Sequence, residues 1–156
     1  MKVAILSGTS PSWNPRAAKE AMALARAGYS VVVFGVSSDR RRWESDSRLA
    51  DRGGYGYHSV VPHLSGGRRW MPQRLLPRLR NRLAKRLHGA FGVESHWQLG
   101  SYAPELLRSA RASGAGYFIV HLEEAAWVGC ALLREGCRVG IDLEDWYSED
   151  LPPEAQ

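Results

Sequence analysis

The sequence predicts a three-layer α/β domain built on a mainly parallel sheet. Residues 2–36 read as a strand, a loop, a helix and a second strand, and residues 117–141 return to the order strand, helix, strand. Parallel neighbours need crossover connections, and helices usually supply them. We therefore expect helices to cover both faces of the sheet.

The first unit begins with the short apolar strand Lys2–Leu6, which a loop rich in serine and glycine interrupts. Asn14 and Pro15 then open a helix, with a side-chain cap and a proline in the first turn. Gly28 ends this helix, and Val31–Phe34 is a strand of the buried type. Such a unit leaves a loop and a helix start at the carboxyl edge of the sheet. Doubly wound, Rossmann-like proteins bind their ligands at that edge.

The middle of the chain has weaker patterns. Ser37–Tyr57 reads as a polar connection, and His58–Val61 as a third strand. Pro72–Phe91 then reads as an amphipathic helix, for which Pro77 is an alternative starting point. A further helix is predicted over residues 102–113.

The net charge of +5 lies in one part of the chain. Residues 52–93 contain nine Lys or Arg and no Asp or Glu, whereas the rest has twelve basic and sixteen acidic side chains. Within the basic amphipathic segment 68–91, leucines share one face and basic side chains surround them. The basic residues predicted to contact a membrane or another anion are Arg74, Arg78, Arg82, Lys85 and Arg86.

Two interpretations of this segment remain open. An arginine-rich helix with a leucine stripe suits adsorption to anionic lipid. A plain cover helix that packs its leucines on the sheet fits the same pattern. Nucleic acid is not an expected partner, because few aromatic side chains interleave with the basic ones.

The last third predicts the strand 117–120, the helix 124–134 and the strand 138–141. A proline pair then follows Leu151. We therefore assign residues 1–150 to one domain and residues 151–156 to the start of an interdomain linker or a tail.

Ionisable side chains follow the last two strands. His121 and Glu123 come after the first of them, and Glu144 and Asp145 after the second. Histidine titrates near neutrality, and carboxylates can orient the hydroxyl groups of a sugar. Three alternatives remain open: a satisfied core histidine, a structural glutamate and a solvated acidic linker. Glu124 is interpreted as an acid that starts a helix.

The loop after the first strand is the other candidate site. Its predicted substrate-binding residues are Gly8, Thr9, Asn14 and Arg16. Exposed N–H groups at a helix start attract anions, and Arg16 adds a positive charge. A tight turn with a solvated arginine is the alternative. Neither a G-x-G-x-x-G nor a Walker lysine motif is present, so neither dinucleotide nor ATP binding is predicted.

The expected location of the protein and the expected lack of a metal site rest on simpler features. No apolar run approaches the roughly 20 residues of a membrane span, and a polar loop interrupts the opening apolar stretch after Leu6. We therefore expect a cytoplasmic protein, peripheral at the inner membrane face if the basic helix adsorbs there. The spacing of Cys130 and Cys137 suits no metal site, so no metal is predicted.

Two stretches carry a resemblance to a known family. "MKVAILSGTSPSWNPRAAKEAMALARAGYSVVVFG" resembles the opening of family 4 glycosyltransferases, which have the two-domain GT-B architecture. "YFIVHLEEAAWVGCALLREGCRVGIDLEDWYSED" is similar to the later stretch of the same domain. There, one strand ends in His-x-His-Asp and the next ends near Asp-x-His-Glu.

The resemblance implies roles for particular residues. His121 falls on the first histidine of the family's pair and Glu123 on the second, which implies catalytic positions beside the sugar. Glu144 and Asp145 fall on the His-Glu of the later motif, which implies substrate binding. Glutamate at position 123 is a departure from the family pattern.

The resemblance also implies a reaction. A sugar would move from a nucleotide-sugar, a co-substrate and not a cofactor, to a hydroxyl of a sugar or lipid-linked acceptor, with retention and without an essential metal. The chain has no Glu-x7-Glu donor motif. It therefore resembles the acceptor-side N-terminal half, whose partner is a C-terminal donor-binding domain. The alternative is a non-catalytic α/β module that binds a partner or an anionic surface through its basic helix.

Overall fold

The computed structural model of the protein describes residues 1–37, 39–61 and 71–143, and only the backbone for residues 71–74. In these ranges the strands are β1 (Lys2–Ser7), β2 (Ser30–Gly35), β3 (Gly56–Ser59), β4 (Tyr117–His121) and β5 (Val139–Asp142). The helices are α1 (Pro15–Arg26), α2 (Arg40–Gly53), α3 (Met71–Phe91), α4 (Ala103–Ala112) and α5 (Leu122–Arg134), with a 3-10 turn at His96–Gln98.

The five strands form one sheet in the order β3-β2-β1-β4-β5, and every neighbouring pair is parallel. The chain first builds outward from β1 to β3 and then crosses to the other side of β1 to add β4 and β5. The strand order therefore reverses between β1 and β4. In doubly wound proteins the loops at such a reversal leave in opposite directions and border a ligand crevice at the carboxyl ends of the two strands.

Alternate residues of β1 supply two separate cores. Val3 and Ile5 pack with α1 and α2 on one face, whereas Ala4 and Leu6 pack with α4 and α5 on the other. This alternation is the period-two geometry of a strand. The predicted three-layer α/β architecture with a parallel sheet is confirmed, and its topology is Rossmann-like.

The prediction of a polar connection over Ser37–Tyr57 is wrong, because most of this stretch is helix α2. Asp39 caps its start by accepting a hydrogen bond from the backbone N–H of Arg42, and Gly54 ends it in the left-handed conformation. The buried residues of α2 are Asp46 and Ala50. A helix that buries a carboxylate and one methyl group shows no apolar stripe in its sequence.

Other boundaries shift less. β3 begins two residues before the predicted strand His58–Val61, because the chain enters the sheet soon after the end of α2. Pro77 lies inside α3 and does not mark its start. No helix among the described residues has both the length and the apolar composition needed to cross a membrane. The predicted linker at residues 151–156 lies outside the described ranges.

Candidate functional site

The crevice between β1 and β4 brings the two predicted site regions together. Ser7 at the end of β1 is the register partner of His121 at the end of β4. The next residue, Gly8, lies against the start of α5: a Cβ atom there would come within 3.2 Å of Glu124 Oε2. The absence of a Cβ atom at position 8 therefore eases the close approach of the loop to this helix.

His121 is fully buried and has a carboxylate at each side of its ring. Its Nε2 lies 2.9 Å from Glu20 Oε2, and its Nδ1 lies 3.4 Å from Asp142 Oδ2. Asp142 in turn pairs with Arg16, whose Nη1 lies 3.5 Å from Oδ1. A ring that carries both N–H groups can face both carboxylates as a donor, whereas a neutral ring can donate to one of them. His121 thus ties α1, β4 and β5 together beneath the crevice.

A left-handed residue separates this histidine from the carboxylates that follow it. Leu122 has φ = 69°, a conformation that costs a non-glycine residue about 1–2 kcal/mol. It turns the chain from β4 directly into α5. Glu123 is thereby exposed in the first turn of α5, while Glu124 is buried.

The positive φ of Leu122 leads to a prediction about the stability of the fold. We expect Leu122→Gly to cost less stability than a glycine substitution elsewhere in α5, because glycine adopts positive φ without steric cost and this gain offsets part of the loss of a half-buried side chain. Leu133→Gly is the control, since Leu133 lies in the same helix and is 54% exposed. It should lower stability by about 0.5–1 kcal/mol. Urea denaturation measures both, and equal losses in the two variants would contradict a strained Leu122.

Glu124 connects the starts of two helices. Its carboxylate accepts hydrogen bonds from the backbone N–H groups of Tyr102 and Ala103, at the start of α4. Burial raises its pKa above the usual value, those two N–H groups lower it, and the charge of Glu105 raises it. Any side chain at Gly100 would collide with this carboxyl group. Glu124 does start a helix, as expected, and it also supplies the cap of another.

Two adjoining cavities lie beside the loop that follows β1. One cavity of about 300 Å³ opens between the loops that follow β1 and β2, and its lining residues are Gly8, Thr9, Ser10, Trp13, Val36 and Arg42. A cavity of about 430 Å³ adjoins it, lined by Ser12, Trp13, Asp39, Arg41, Arg42 and Ser45. Trp13 and Arg42 line both cavities. The Arg42 guanidinium carbon lies 4.4 Å from the centre of the Trp13 ring.

Buried polar groups fix the two loops around these cavities. Asp46 is fully buried and accepts hydrogen bonds from the Ser12 backbone N–H and the Ser37 hydroxyl, each at 3.0 Å. The Ser37 hydroxyl also lies 2.6 Å from the Tyr57 hydroxyl, whose pKa is raised, mainly by burial. The Val36 N–H donates to the Thr9 carbonyl. These hydrogen bonds tie Thr9 and Ser12 of the β1 loop to Val36 and Ser37 after β2 and to the buried Asp46.

The predicted residues of the β1 loop have different environments. Gly8 and Thr9 line a cavity, and the Arg16 side chain is 57% exposed. Asn14 is buried: its side chain accepts a hydrogen bond from the Ala17 N–H and caps α1. Glu144, Asp145 and the side chain of Arg74 lie outside the described residues.

Sequence reasoning missed several contributors to these sites. Glu20 lies on α1, 101 residues before the histidine that it contacts. Asp46 lies on a helix that was not predicted, and Arg42 lies in the first turn of the same helix. The exposed Trp13 lies in the loop after β1, which the sequence had already indicated as a candidate site. Its aromatic ring was therefore a signal that could have identified it as a site residue.

Helix α3 turns its leucines away from the domain. Its contacts with the rest of the chain include the Asn81 side-chain amide, which donates to the Trp97 and Gln98 carbonyls, and the buried Ala84. We call the opposite surface the leucine face; its members are between 37% and 58% exposed and are Leu75, Leu76, Leu79, Leu83 and Leu87. The basic side chains of Arg78, Arg82, Lys85 and Arg86 are also exposed. In the described part of the chain, α3 is therefore not a cover helix that packs its leucines on the sheet.

Comparisons with known proteins support the fold. No protein-family model matches the chain, and no curated protein matches it by sequence. A solved structure of UGT73P12 from Glycyrrhiza uralensis, complexed with glycyrrhetinic acid 3-O-monoglucuronide, aligns with a TM-score of 0.50 and 17% identity. The alignment covers 96% of this chain and 29% of that chain. The five-stranded sheet with its flanking helices matches a Rossmann-like half of a GT-B architecture, and the likeness does not single out family 4.

Proposed function

We propose that this chain is the acceptor-side N-terminal half of a cytoplasmic glycosyltransferase of the GT-B type, similar to family 4. It moves a sugar from a nucleotide-sugar to a hydroxyl acceptor, with retention and without an essential metal or cofactor. The observation that supports the proposal is the β1–β4 reversal, where Gly8 lies against Glu124 at the start of α5 and the preceding Glu123 is exposed in the same turn. The likeness to one part of UGT73P12 agrees with it.

The two residues predicted to be catalytic differ in burial, and we assign them different roles. Glu123 is exposed and can reach a sugar hydroxyl or a positive charge that develops on the sugar. His121 is completely buried between Glu20 and Asp142, so it acts as a positioning residue that holds the ends of β4 and β5. Arg16 lies exposed at the rim, where it can meet a donor phosphate or an acceptor.

The outer edge of the sheet exposes apolar side chains. Ile141 on the edge strand β5 is 55% exposed, and Leu143 just beyond it is 75% exposed. Parallel sheets normally bury both faces. In our proposal, a C-terminal domain of the same protein holds the nucleotide-sugar, and the cleft closes between the two halves.

We expect residues 1–156 alone to lack transferase activity and to bind nucleotide-sugars weakly. The reason is that most donor contacts would lie in the second domain. Calorimetry with a panel of nucleotide-sugars measures this, and the natural protein at full length is the comparison. A micromolar dissociation constant for residues 1–156 would contradict the proposal. A full-length protein without a second domain would favour the non-catalytic module instead.

The leucine face of α3 favours a second activity of the same protein, attachment to a membrane. An exposed leucine stripe bordered by arginines has the chemistry of a helix that lies in the headgroup region of an anionic bilayer. We propose that α3 docks the enzyme on such a surface. If the protein is instead a non-catalytic module, the same helix would bind its partner or anionic surface. Membrane binding therefore does not distinguish the two functions, and transferase activity needs a separate test.

A further inference from the structure

We propose that the two adjoining cavities around Trp13 form an acceptor subsite for a phosphorylated sugar, with Arg41 and Arg42 as its phosphate-binding groups. This inference rests on the proposed transferase function and deepens it, because it names the class of acceptor. The cavities run from Gly8 and Thr9, beside the crevice, outward to the two arginines. Because Trp13 and Arg42 line both cavities, one ligand can occupy the two together.

The charges around the outer cavity favour an anion. Arg40, Arg41 and Arg42 open α2, and no acidic residue accompanies them in the first turn. Arg40 is paired with Glu44 at 2.8 Å. Among the described residues, Arg41 and Arg42 have no carboxylate within ion-pairing distance, and a guanidinium group binds phosphate oxygens in pairs. Asp39 is the acidic residue of this lining, and its carboxylate accepts the Arg42 backbone N–H.

Trp13 supplies the surface for the sugar ring. Its side chain is 69% exposed, yet its backbone is fixed: its N–H donates to the Ser10 carbonyl at 2.9 Å, and the neighbouring Ser12 N–H donates to the buried Asp46. A sugar whose C–H groups cover the indole removes apolar surface from water. The Arg42 guanidinium carbon lies 4.4 Å from the centre of the ring, so the sugar covers the indole surface that Arg42 leaves exposed.

The arrangement also predicts which chemical groups matter. A neutral hexose offers C–H groups to Trp13 but nothing to the two guanidinium groups. Inorganic phosphate offers the charge without the ring. A hexose phosphate engages both ends of the cavity, so its affinity should exceed that of either component.

Calorimetry on the chain with glucose 6-phosphate, glucose and inorganic phosphate tests this subsite. We expect glucose 6-phosphate to bind at least tenfold more tightly than glucose or inorganic phosphate. Arg41→Gln and Arg42→Gln should each weaken its binding about tenfold, and Trp13→Ala should weaken it similarly. Arg40→Gln is the matched control, because Arg40 lies in the same turn but outside both cavity linings. It should change the affinity less than twofold.

Two further arms separate the alternatives. Short-chain phosphatidic acid below its micelle concentration replaces the sugar phosphate, and tighter binding than that of glucose 6-phosphate would assign the subsite to a lipid phosphate. Equal effects of Arg40→Gln and Arg41→Gln, or equal affinities for glucose and glucose 6-phosphate, would overturn the proposal. The result is independent of turnover, so a failed subsite leaves the transferase proposal standing, and failure of transfer leaves the binding data intact.

Discussion

Replacement of Arg78, Arg82 and Arg86 by glutamate is expected to abolish binding of this protein to anionic vesicles. Each basic residue near such a surface contributes about 1 kcal/mol. Loss of three therefore lowers the partition constant roughly 100-fold, and the new negative charges lower it further. All three side chains are exposed on α3. The contacts of Asn81 and Ala84 with the domain are not altered, so the fold should persist.

A second charge-reversed variant controls for net charge. This variant combines Lys19→Glu, Arg26→Glu and Arg48→Glu, which replace three exposed residues on α1 and α2. It changes the net charge of the protein by the same amount as the α3 variant. This control variant should retain most of its vesicle binding, as measured by co-sedimentation. Binding of the native protein should fall between 0.01 M and 1 M salt, as the screening length falls from about 30 Å to about 3 Å.

The leucine face gives an independent check on the same surface. Leu79→Ser with Leu83→Ser should weaken binding at both salt concentrations, because insertion of apolar side chains does not depend on charge. Equal binding of the native protein to neutral and anionic vesicles would refute the electrostatic account. Loss of binding in the Lys19, Arg26 and Arg48 variant would refute the role of α3 itself.

The parts of the fold that the sequence predicted are those with apolar periodicity. β1, α1 and β2 have buried runs and clear caps, and the order β4, α5, β5 repeats the pattern. Helix α2 lacks that signal because it buries a carboxylate, Asp46. Its start and end were readable in principle, since Asp39 is a capping residue and Gly54 is a helix terminator.

The sequence also did not predict which side of α3 faces the domain. A leucine stripe on α3 implies one apolar face, and burial of that face is the ordinary expectation. The structure instead holds α3 by Asn81 and Ala84 and leaves the leucines exposed. In the same way, the proximity of Gly8 and His121 follows from strand topology, whereas the partner Glu20 and the conformation of Leu122 depend on tertiary packing.

For the proposed transferase, Glu123→Gln is expected to lower turnover about 100-fold, which corresponds to roughly 3 kcal/mol of activation free energy. The change keeps the shape of the side chain and removes its charge. Glu123 lies exposed in the first turn of α5, beside the crevice, so its charge can act on the substrate. If it stabilises positive charge on the departing sugar, the loss appears in the transition state and the rate falls while substrate binding changes little.

Glu135→Gln is the matched control for this experiment. Glu135 caps the other end of α5 and pairs on the surface with Arg111, whose guanidinium lowers the pKa of the carboxyl group. Loss of an exposed ion pair has little effect on stability and should not affect turnover. For Glu123→Gln, the rate should fall with an unchanged melting temperature. If the melting temperature falls instead and turnover per folded molecule is retained, Glu123 is structural, and the transferase proposal loses the residue on which its chemistry depends.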